Sequence, residues 1–245
     1  MDEALLMNST IDLSAILPVY NEQECIEPVL RELDGVLRSI GRTYEIVAVD
    51  DGSSDQTPVL LARLKTKWPH LRVLRLTPNS GQSAAMGAGF QMARGAILIT
   101  LDADGQNDPA EIPRLLKELD HTDVCCGYRL NRQDTAAKRY GSRLANAIRN
   151  SVLGEDIRDT GCTLKAFKAE FVRNLPMELK GMHRFLPALV RMRGARIAQI
   201  GVHHRQRSAG QSKYTNLKRL KETVGDLRAV RWMQTRFKQF TVEER

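Results

Sequence analysis

The stretch Ala96-Ile-Leu-Ile-Thr-Leu-Asp-Ala-Asp-Gly-Gln-Asn-Asp108 decides how the rest of this chain reads. Residues 97–101 form a short apolar run rich in β-formers, the pattern of a buried strand. The run stops at two carboxylates one residue apart, Asp102 and Asp104. With a period of two, both side chains can point the same way. Like charges held that close repel unless a cation sits between them. Oxygen ligands of this kind suit Mg²⁺ or Mn²⁺, and Mg²⁺ commonly divides itself between one or two carboxylates and substrate phosphates. Gln106, two positions on, adds a neutral oxygen. A helix follows at once, with Asp108 as its N-cap, Pro109 at the first helical position and Glu111 at capping-box spacing. A lone Asp-x-Asp is more often a polar strand-to-helix turn than a site, so the flanking sequence has to decide.

That sequence repeats one unit. Strands are expected at residues 11–17, 44–49, 71–76 and 124–127, and helices at about 23–40, 56–68, 79–94 and 109–119. Short apolar strands alternating with helices are the signature of a parallel sheet covered on both faces. Such sheets bind ligands at the carboxyl ends of their strands. The polar clusters fall there: Tyr20 and Glu22, Asp50 to Asp55, Asn79 to Gln82, and the Asp102 loop. No Gly-x-Gly-x-x-Gly follows the first strand and no phosphate loop of the Gly-x-x-x-x-Gly-Lys type occurs. A nucleotide, if bound, is therefore held by side chains and a metal.

The chain has 245 residues, 42% apolar and 27% charged, ordinary values for a soluble globular protein. No apolar run reaches the roughly 18 residues a membrane-spanning helix needs. The first eight residues are acidic, unlike a signal peptide. Cys25, Cys125, Cys126 and Cys162 show no metal-type spacing, and Cys125 and Cys126 occupy opposite faces of one strand. Reduced thiols in a cytoplasmic protein are expected. Charge is divided unevenly. Residues 1–123 carry 11 Lys/Arg against 19 Asp/Glu, and residues 124–245 carry 26 against 10. The basic half calls for an anionic partner: a phosphate-bearing substrate, a membrane surface or nucleic acid.

In that half, residues 135–152 form an amphipathic helix with Tyr140, Leu144, Ala147 and Ile148 on one side. Lys138, Arg139, Arg143 and Arg149 flank this stripe, and Lys138 and Ser142, four apart, share a face. Asp159 precedes a turn and strand over 160–167. Helices are expected at 168–175 and about 185–192, and a strand at 195–201. His203 and His204 point apart in a strand and read as strand-end histidines. The basic, glycine-containing segment from Arg205 to Tyr214 is a loop able to close over an anion. From Asn216 a long helix repeats Leu217, Leu220, Val224, Leu227, Val230, Met233, Phe237 and Phe240 between basic flanks, with a bend or a break expected at Gly225. This helix either packs on the domain or lies on a membrane surface.

Seven pieces in order carry a family resemblance: Pro18-Val-Tyr-Asn-Glu22, Val49-Asp-Asp-Gly-Ser-Ser-Asp55, the segment opening at Asn79-Ser-Gly-Gln82, Asp102-Ala-Asp-Gly-Gln106, Gly127-Tyr-Arg129, Asp159-Thr-Gly161 and Arg207-Ser-Ala-Gly-Gln-Ser-Lys-Tyr214. Together, over about residues 11–230, they resemble the inverting glycosyltransferases of family 2. Within that family the last piece and the basic helix resemble the polyprenyl-phosphate sugar transferases of the dolichyl-phosphate mannosyltransferase type. The resemblance implies one α/β domain of GT-A type, a doubly wound, mainly parallel sheet with helices on both faces. It divides the chain into a tail (1–10), a catalytic domain (11–214, donor half 11–127 and acceptor half 128–214) and a basic amphipathic helix (215–245). It further implies transfer, with inversion, of one sugar from a nucleoside-diphosphate donor, GDP-mannose or a UDP-sugar, to a polyprenyl phosphate. Pro18, Tyr20, Glu22 and Asp50 would line the base and ribose pocket, with Ala103 in the same donor site. Asp102, Asp104 and Gln106 would hold Mg²⁺ or Mn²⁺, and Arg207 and Lys213 would meet the diphosphate. Arg129, Lys138 and Ser142, with Arg139 beside them, would hold the acceptor phosphate.

Asp104, Arg129 and Asp159 are the implied catalytic residues. Asp159 would steer the phosphate or stabilise the cationic sugar, or else fix the Thr160-Gly161 turn. His183 and Arg184 are candidates for the border of the acceptor site. Many relatives carry membrane helices after the catalytic part; here a peripheral contact with the cytoplasmic membrane face, or with a small membrane partner, is expected. A rival in the same fold is transfer to a hydroxyl acceptor, which would need Asp159 as general base. A nucleic-acid module is disfavoured, because the basic half lacks interleaved aromatics and the acidic strand ends repel phosphate. The intact Asp102/Asp104 pair argues against a catalytically silent subunit.

Overall fold

A computed structural model of the chain describes residues 11–130, 136–206, 216–238 and 243; the side chains of 136–143 and 216–223 lie outside that description. The apolar runs become strands β1 (Leu13–Val19), β2 (Tyr44–Asp50), β3 (Leu71–Arg75), β4 (Ile97–Thr100), β5 (Val124–Arg129), β6 (Lys165–Lys168) and β7 (Ile197–Val202). They form one sheet in the order β3-β2-β1-β4-β6-β5-β7. Six of its strands run as the alternating pattern requires: β1 pairs in parallel with β2 and β4, and β2 with β3, while β5 pairs in parallel with β7. The exception is β6, inserted antiparallel to both β4 and β5. The sheet is mainly parallel, as expected. The strand order reverses at β1, and the crevice between its carboxyl end and that of β4 is where an open α/β sheet binds ligands.

The helices are α1 (Ile26–Ile40), α2 (Thr57–Lys65), α3 (Gln82–Met92), α4 (Ile112–Glu118), α5 (Ala136–Leu153), α6 (Leu186–Met192) and α7 (Asn216–Arg236). Period two in the strands divides the core into two layers. On β1, Leu13, Ala15, Leu17 and Val19 face the layer made with α1, α2 and α4, while Ile16 faces α3 and α6. Cys125 and Cys126 fall into opposite layers as expected, and all four cysteines are free and buried. On α7, Val230 is buried and Leu227 and Met233 pack beside it. Among the described residues, no helix is long and apolar enough to cross a membrane.

Three local expectations are corrected. The helix expected at 168–175 is a single 3-10 turn, Ala169–Phe171, and Asn174 enters the left-handed region at φ 58°, which ends any helix. No break occurs at Gly225, where α7 runs on to Arg236. Asp108 does cap, accepting the Ala110 N–H at 3.0 Å. The Glu111 carboxylate, however, turns to Arg114 and to the His203 N–H (3.1 Å) instead of closing a capping box. A buried carboxylate takes the partner that its packed surroundings supply.

The small residues of α3 let it lie directly on β1. A Cβ added at Gly89 would stand 2.3 Å from Ile16 Cγ2. Gly89→Ala is therefore expected to destabilise the protein by about 1–3 kcal/mol through overpacking, read as a lowered urea midpoint. An unchanged midpoint would show that the layer yields more easily than its packing suggests.

Candidate active site

The first two strand ends are laced together by the polar residues that terminate them. Asn21, held at φ 53°, accepts the Ser54 N–H (2.8 Å) and donates its own N–H to Ser53 Oγ (2.9 Å). The Glu22 N–H donates to Thr57 Oγ1 at 2.9 Å. Tyr20, 39% exposed, stands above this lacing. Asp50 is buried beneath it; its carboxylate accepts the Ser53 N–H (2.9 Å) and lies 3.3 Å from Arg75. Asp51 reaches the next strand end, accepting the N–H groups of Ser80 (2.7 Å) and Gly81 (2.9 Å) and the Asn79 amide (3.0 Å). It thereby fixes where α3 begins.

The first residue of α3 touches the acidic loop. Gln82 Nε2 donates to Asp102 Oδ1 at 2.9 Å, and Thr163 Oγ1 donates to Asp102 Oδ2 at 2.7 Å. The Asp102 N–H is taken by Asn107 Oδ1 at 2.7 Å. Burial first, and then the charge of Asp104, push the Asp102 carboxyl up to about 6, while the Thr163 hydroxyl, Lys165 and Arg129 pull it down. Asp104 accepts the Gln106 N–H at 3.1 Å. The Gln106 carbonyl accepts the Arg205 N–H at 2.8 Å. Arg205 grips Glu32 of α1 with two bonds of 2.8 and 2.9 Å and lies 2.8 Å from Asp108. The loop after β7 is thus tied to the acidic loop immediately before Arg207.

At the end of β5, Arg129 is held in a fork. Its Nε and Nη2 donate to Asp159 at 2.7 and 2.9 Å, and its backbone N–H donates to the same carboxylate at 3.2 Å. The Gly161 N–H adds a fourth bond at 3.1 Å. A side chain at Gly161 would meet Arg129 Nη2 at 2.8 Å, so the glycine is what lets the guanidinium lie against the turn.

Comparison with known proteins bears on this arrangement. The model of the family described as "Glycosyl transferase family 2" matches residues 14–175, from β1 through the 3-10 turn after β6. The chain belongs to glycosyl transferase family 2. It is 37% identical over 205 residues to the undecaprenyl-phosphate 4-deoxy-4-formamido-L-arabinose transferase of Enterobacter sp. (strain 638), covering 83% of this chain and 62% of that protein. Its identity to the Salmonella dublin protein of the same name is 36%, over the same spans. The chain thus covers about three fifths of the length of these relatives. In fold it is similar to the crystal structure of glucosyl-3-phosphoglycerate synthase from Mycobacterium tuberculosis, solved with Mn²⁺, UDP and glucosyl-3-phosphoglycerate. That match has a TM-score of 0.67 at 18% identity and covers 94% of this chain and 81% of the other. Staphylococcus aureus TarS matches with a TM-score of 0.53 at 20% identity, over 78% of this chain and 58% of that one.

In this family 2 chain the sheet carries Pro18, Tyr20, Glu22, Asp50, Asp102, Ala103, Asp104, Gln106 and Arg129 to one edge; Pro18 is part-buried in β1 and Ala103 is buried between the two acids. Asp159 is joined to Arg129. The side chains of Lys138, Arg139 and Ser142, and all of Arg207 and Lys213, lie outside the described residues. His183 Nδ1 is 2.7 Å from Ser83 Oγ on the first turn of α3, next to the Gln82 that bonds to Asp102. Sequence reasoning missed the partners of Asp102. Gln82 lay within a quoted motif without a role. Thr163 and Lys165 read only as strand residues, and Asn107 as part of a turn.

The raised Asp102 carboxyl has a thermodynamic sign. The folded chain holds this proton more tightly than the unfolded one between the ordinary carboxylate range, near 3.8, and about 6. Stability from this group is therefore present below that window and lost as pH rises through it. In EDTA, Asp102→Asn is expected to be more stable than the wild type by roughly 1–2 kcal/mol at pH 7.5, with the gap closing below pH 4. Parallel pH–stability profiles for the two proteins would show that Asp102 carries no such strain.

Proposed function

We propose that this chain transfers one sugar from a nucleoside-diphosphate donor to a polyprenyl phosphate, with inversion, at a lipid surface. The names of the 36–37% identical relatives support this acceptor. The carrying observation is the Arg129–Asp159 fork. Four N–H groups occupy the Asp159 carboxylate, and a carboxylate so held is a poor general base. A hydroxyl acceptor needs a base; a phosphate arrives already ionised and needs positioning by a fixed cation. Arg129 supplies that cation, and Asp159 is a positioning residue acting through it.

The donor set of the acidic loop fits a divalent cation. Two carboxylates and one amide oxygen are hard ligands, and the upward push on Asp102, from burial first and then from the charge of Asp104, is one that a bound cation would oppose. Asp102 already holds two donors, so direct coordination falls chiefly to Asp104 and Gln106. Bound there, Mg²⁺ or Mn²⁺ supplies positive charge to the departing diphosphate. Arg207 and Lys213 add to that charge. Tyr20 and the Asn21–Ser54 lacing offer a floor for the base, with Pro18, Glu22 and Asp50 beside it. The bond from the anomeric carbon to the diphosphate breaks as a phosphate oxygen of the lipid bonds to the opposite face, and no proton need be removed from the acceptor. Lys138, Arg139 and Ser142 follow Arg129 in sequence on α5 and complete the phosphate site.

The test is release of nucleoside diphosphate from UDP- and GDP-linked sugars, including a 4-deoxy-4-formamido-pentose, with Mn²⁺ or Mg²⁺. Release is expected to require polyprenyl phosphate and to stop in EDTA. Arg129→Met is expected to lower lipid-dependent release at least a hundredfold and leave nucleotide binding intact. Full activity on a hydroxyl acceptor, with Arg129 dispensable, would sink the reading.

The lipid surface has its own support, in α5. Leu144 (53% exposed), Ile148 (51%) and Val152 stand one turn apart and outward. The inward side is polar until Leu153, which enters the core at the helix end: Asn146 donates to the Arg158 carbonyl (2.9 Å), Asn150 to the Ile157 carbonyl (3.0 Å), and Arg149 faces Glu155 (3.5 Å). A helix turned polar-side-in, with basic residues about its stripe, suits an interfacial position. Leu144→Ser with Ile148→Ser is expected to weaken sedimentation with anionic phospholipid vesicles about tenfold, with nucleotide binding unchanged. Undiminished sedimentation would assign the stripe elsewhere.

A further inference from the structure

One buried charge in the molecule has no place in the chemistry above. Lys165 is 1% exposed and opens β6, the strand inserted between β4 and β5. It is paired with Thr100, two residues before Asp102, on one side and with Cys126 on the other. Its Nζ donates to the Cys162 carbonyl. Two residues earlier, the Thr163 hydroxyl holds Asp102. The ammonium is close enough for its charge to act on the Asp102 carboxylate and on the thiols of Cys126 and Cys162. An ammonium taken out of water is costly unless charge compensates it. One carbonyl is a weak compensation; the Asp102 carboxylate, at the end of the strand with which Lys165 is paired, is a stronger one.

We propose that Lys165 is the built-in counter-charge of the Asp102/Asp104 pair, and that it makes divalent-cation binding depend on the donor's diphosphate. The inference rests on the reading that this edge binds a diphosphate with a metal. A fixed positive charge beneath two carboxylates weakens the field that attracts a bare cation, and the same charge favours an incoming anion. The diphosphate then supplies the negative charge that Lys165 has offset. Cation and diphosphate enter and leave as a pair, and neither occupies the site well alone. Lys165 touches no reacting atom in this account; it is a positioning residue that sets the electrostatics of others.

The test uses the full chain and two simple probes at pH 8.5, where Asp102 is ionised. Mn²⁺ binding is followed by electron paramagnetic resonance, and pyrophosphate binding in EDTA by calorimetry. Lys165→Met is expected to tighten Mn²⁺ alone about tenfold and to weaken pyrophosphate alone about threefold. Lys165→Arg, which keeps the charge, is expected to stay within about twofold of the wild type on both probes. Shifts of opposite sign cannot come from a loosened fold, which weakens both ligands. Mn²⁺ affinity unchanged or reduced in a Met variant with wild-type circular dichroism overturns the proposal. If the Met variant does not fold, Lys165→Gln carries the same expectation and the same overturning result. A wild-type chain that binds no Mn²⁺ even with pyrophosphate removes both this inference and the metal–diphosphate reading. Normal wild-type binding with no tightening in the variant removes the inference alone.

Discussion

Asp102 and Asp104 stand at the end of a strand with sheet on both sides, so their mutual repulsion is not relieved simply by turning to water. Much of the surrounding architecture answers that constraint. Gln82 and Thr163 each donate to one oxygen of Asp102, and Asn107 holds its N–H. Lys165 and Arg129 bring positive charge to bear from the β6 and β5 side. These groups lower the cost of ionising Asp102 without cancelling it, since burial and then Asp104 still hold its carboxyl up at about 6. A site that stays strained when empty gains most when a cation and its anionic partner arrive.

The antiparallel insertion of β6 is what makes this possible in one sheet. Because β6 runs antiparallel to β4 and β5, the segment that enters it lies at their carboxyl ends; a parallel strand in that place would be entered from the opposite edge. With β6 between them, the segment entering it passes directly beneath both. Asp159 and Gly161 fix the guanidinium, Thr163 fixes Asp102, and Lys165 follows at once. Seven residues of chain thus hold the acidic loop and the Arg129 fork together. A single displacement of this segment would disturb both, and its cysteine and leucine neighbours are buried in the core.

The parallel half was legible in the sequence because apolar runs, period two and strand-end polar clusters are all local signals. Asp102, Asp104 and the polar ends at 20–22 and 50–55 follow from them, whereas Arg129 came only with the family resemblance and the lacing only with the structure. The partners of Asp102 were not legible, for a specific reason. Periodicity tells which face a residue takes, not which strand lies next to it, and the place of β6 is a matter of long-range order. Gln82 was visible as a motif letter, but its direction is set only when Asp51 pins the start of α3. A lysine in a strand reads as an edge or solvent residue; only the insertion of β6 buries it. Glu111 fitted a capping-box spacing, yet His203 and Arg114, one of them distant in sequence, took its carboxylate.

The orientation of α5 was equally beyond periodicity, and it joins the two ends of the proposed function. An amphipathic pattern identifies a stripe but does not say which way it faces. Turned about its axis, α5 would bury Leu144 and Ile148, a gain of about 1.5–3 kcal/mol for each large side chain. It would then forfeit the bonds that Asn146 and Asn150 donate to the carbonyls of Arg158 and Ile157, and the one that Asn146 accepts from Thr160, and would strand the Arg149–Glu155 pair. Those residues lead directly into Asp159, and so into Arg129. The helix that shows its apolar side outward is therefore the one whose polar underside braces the Arg129–Asp159 fork. Exposure of such a stripe is unfavourable in water alone and becomes favourable where the outer medium is itself apolar, as it would be at the lipid surface proposed for the acceptor.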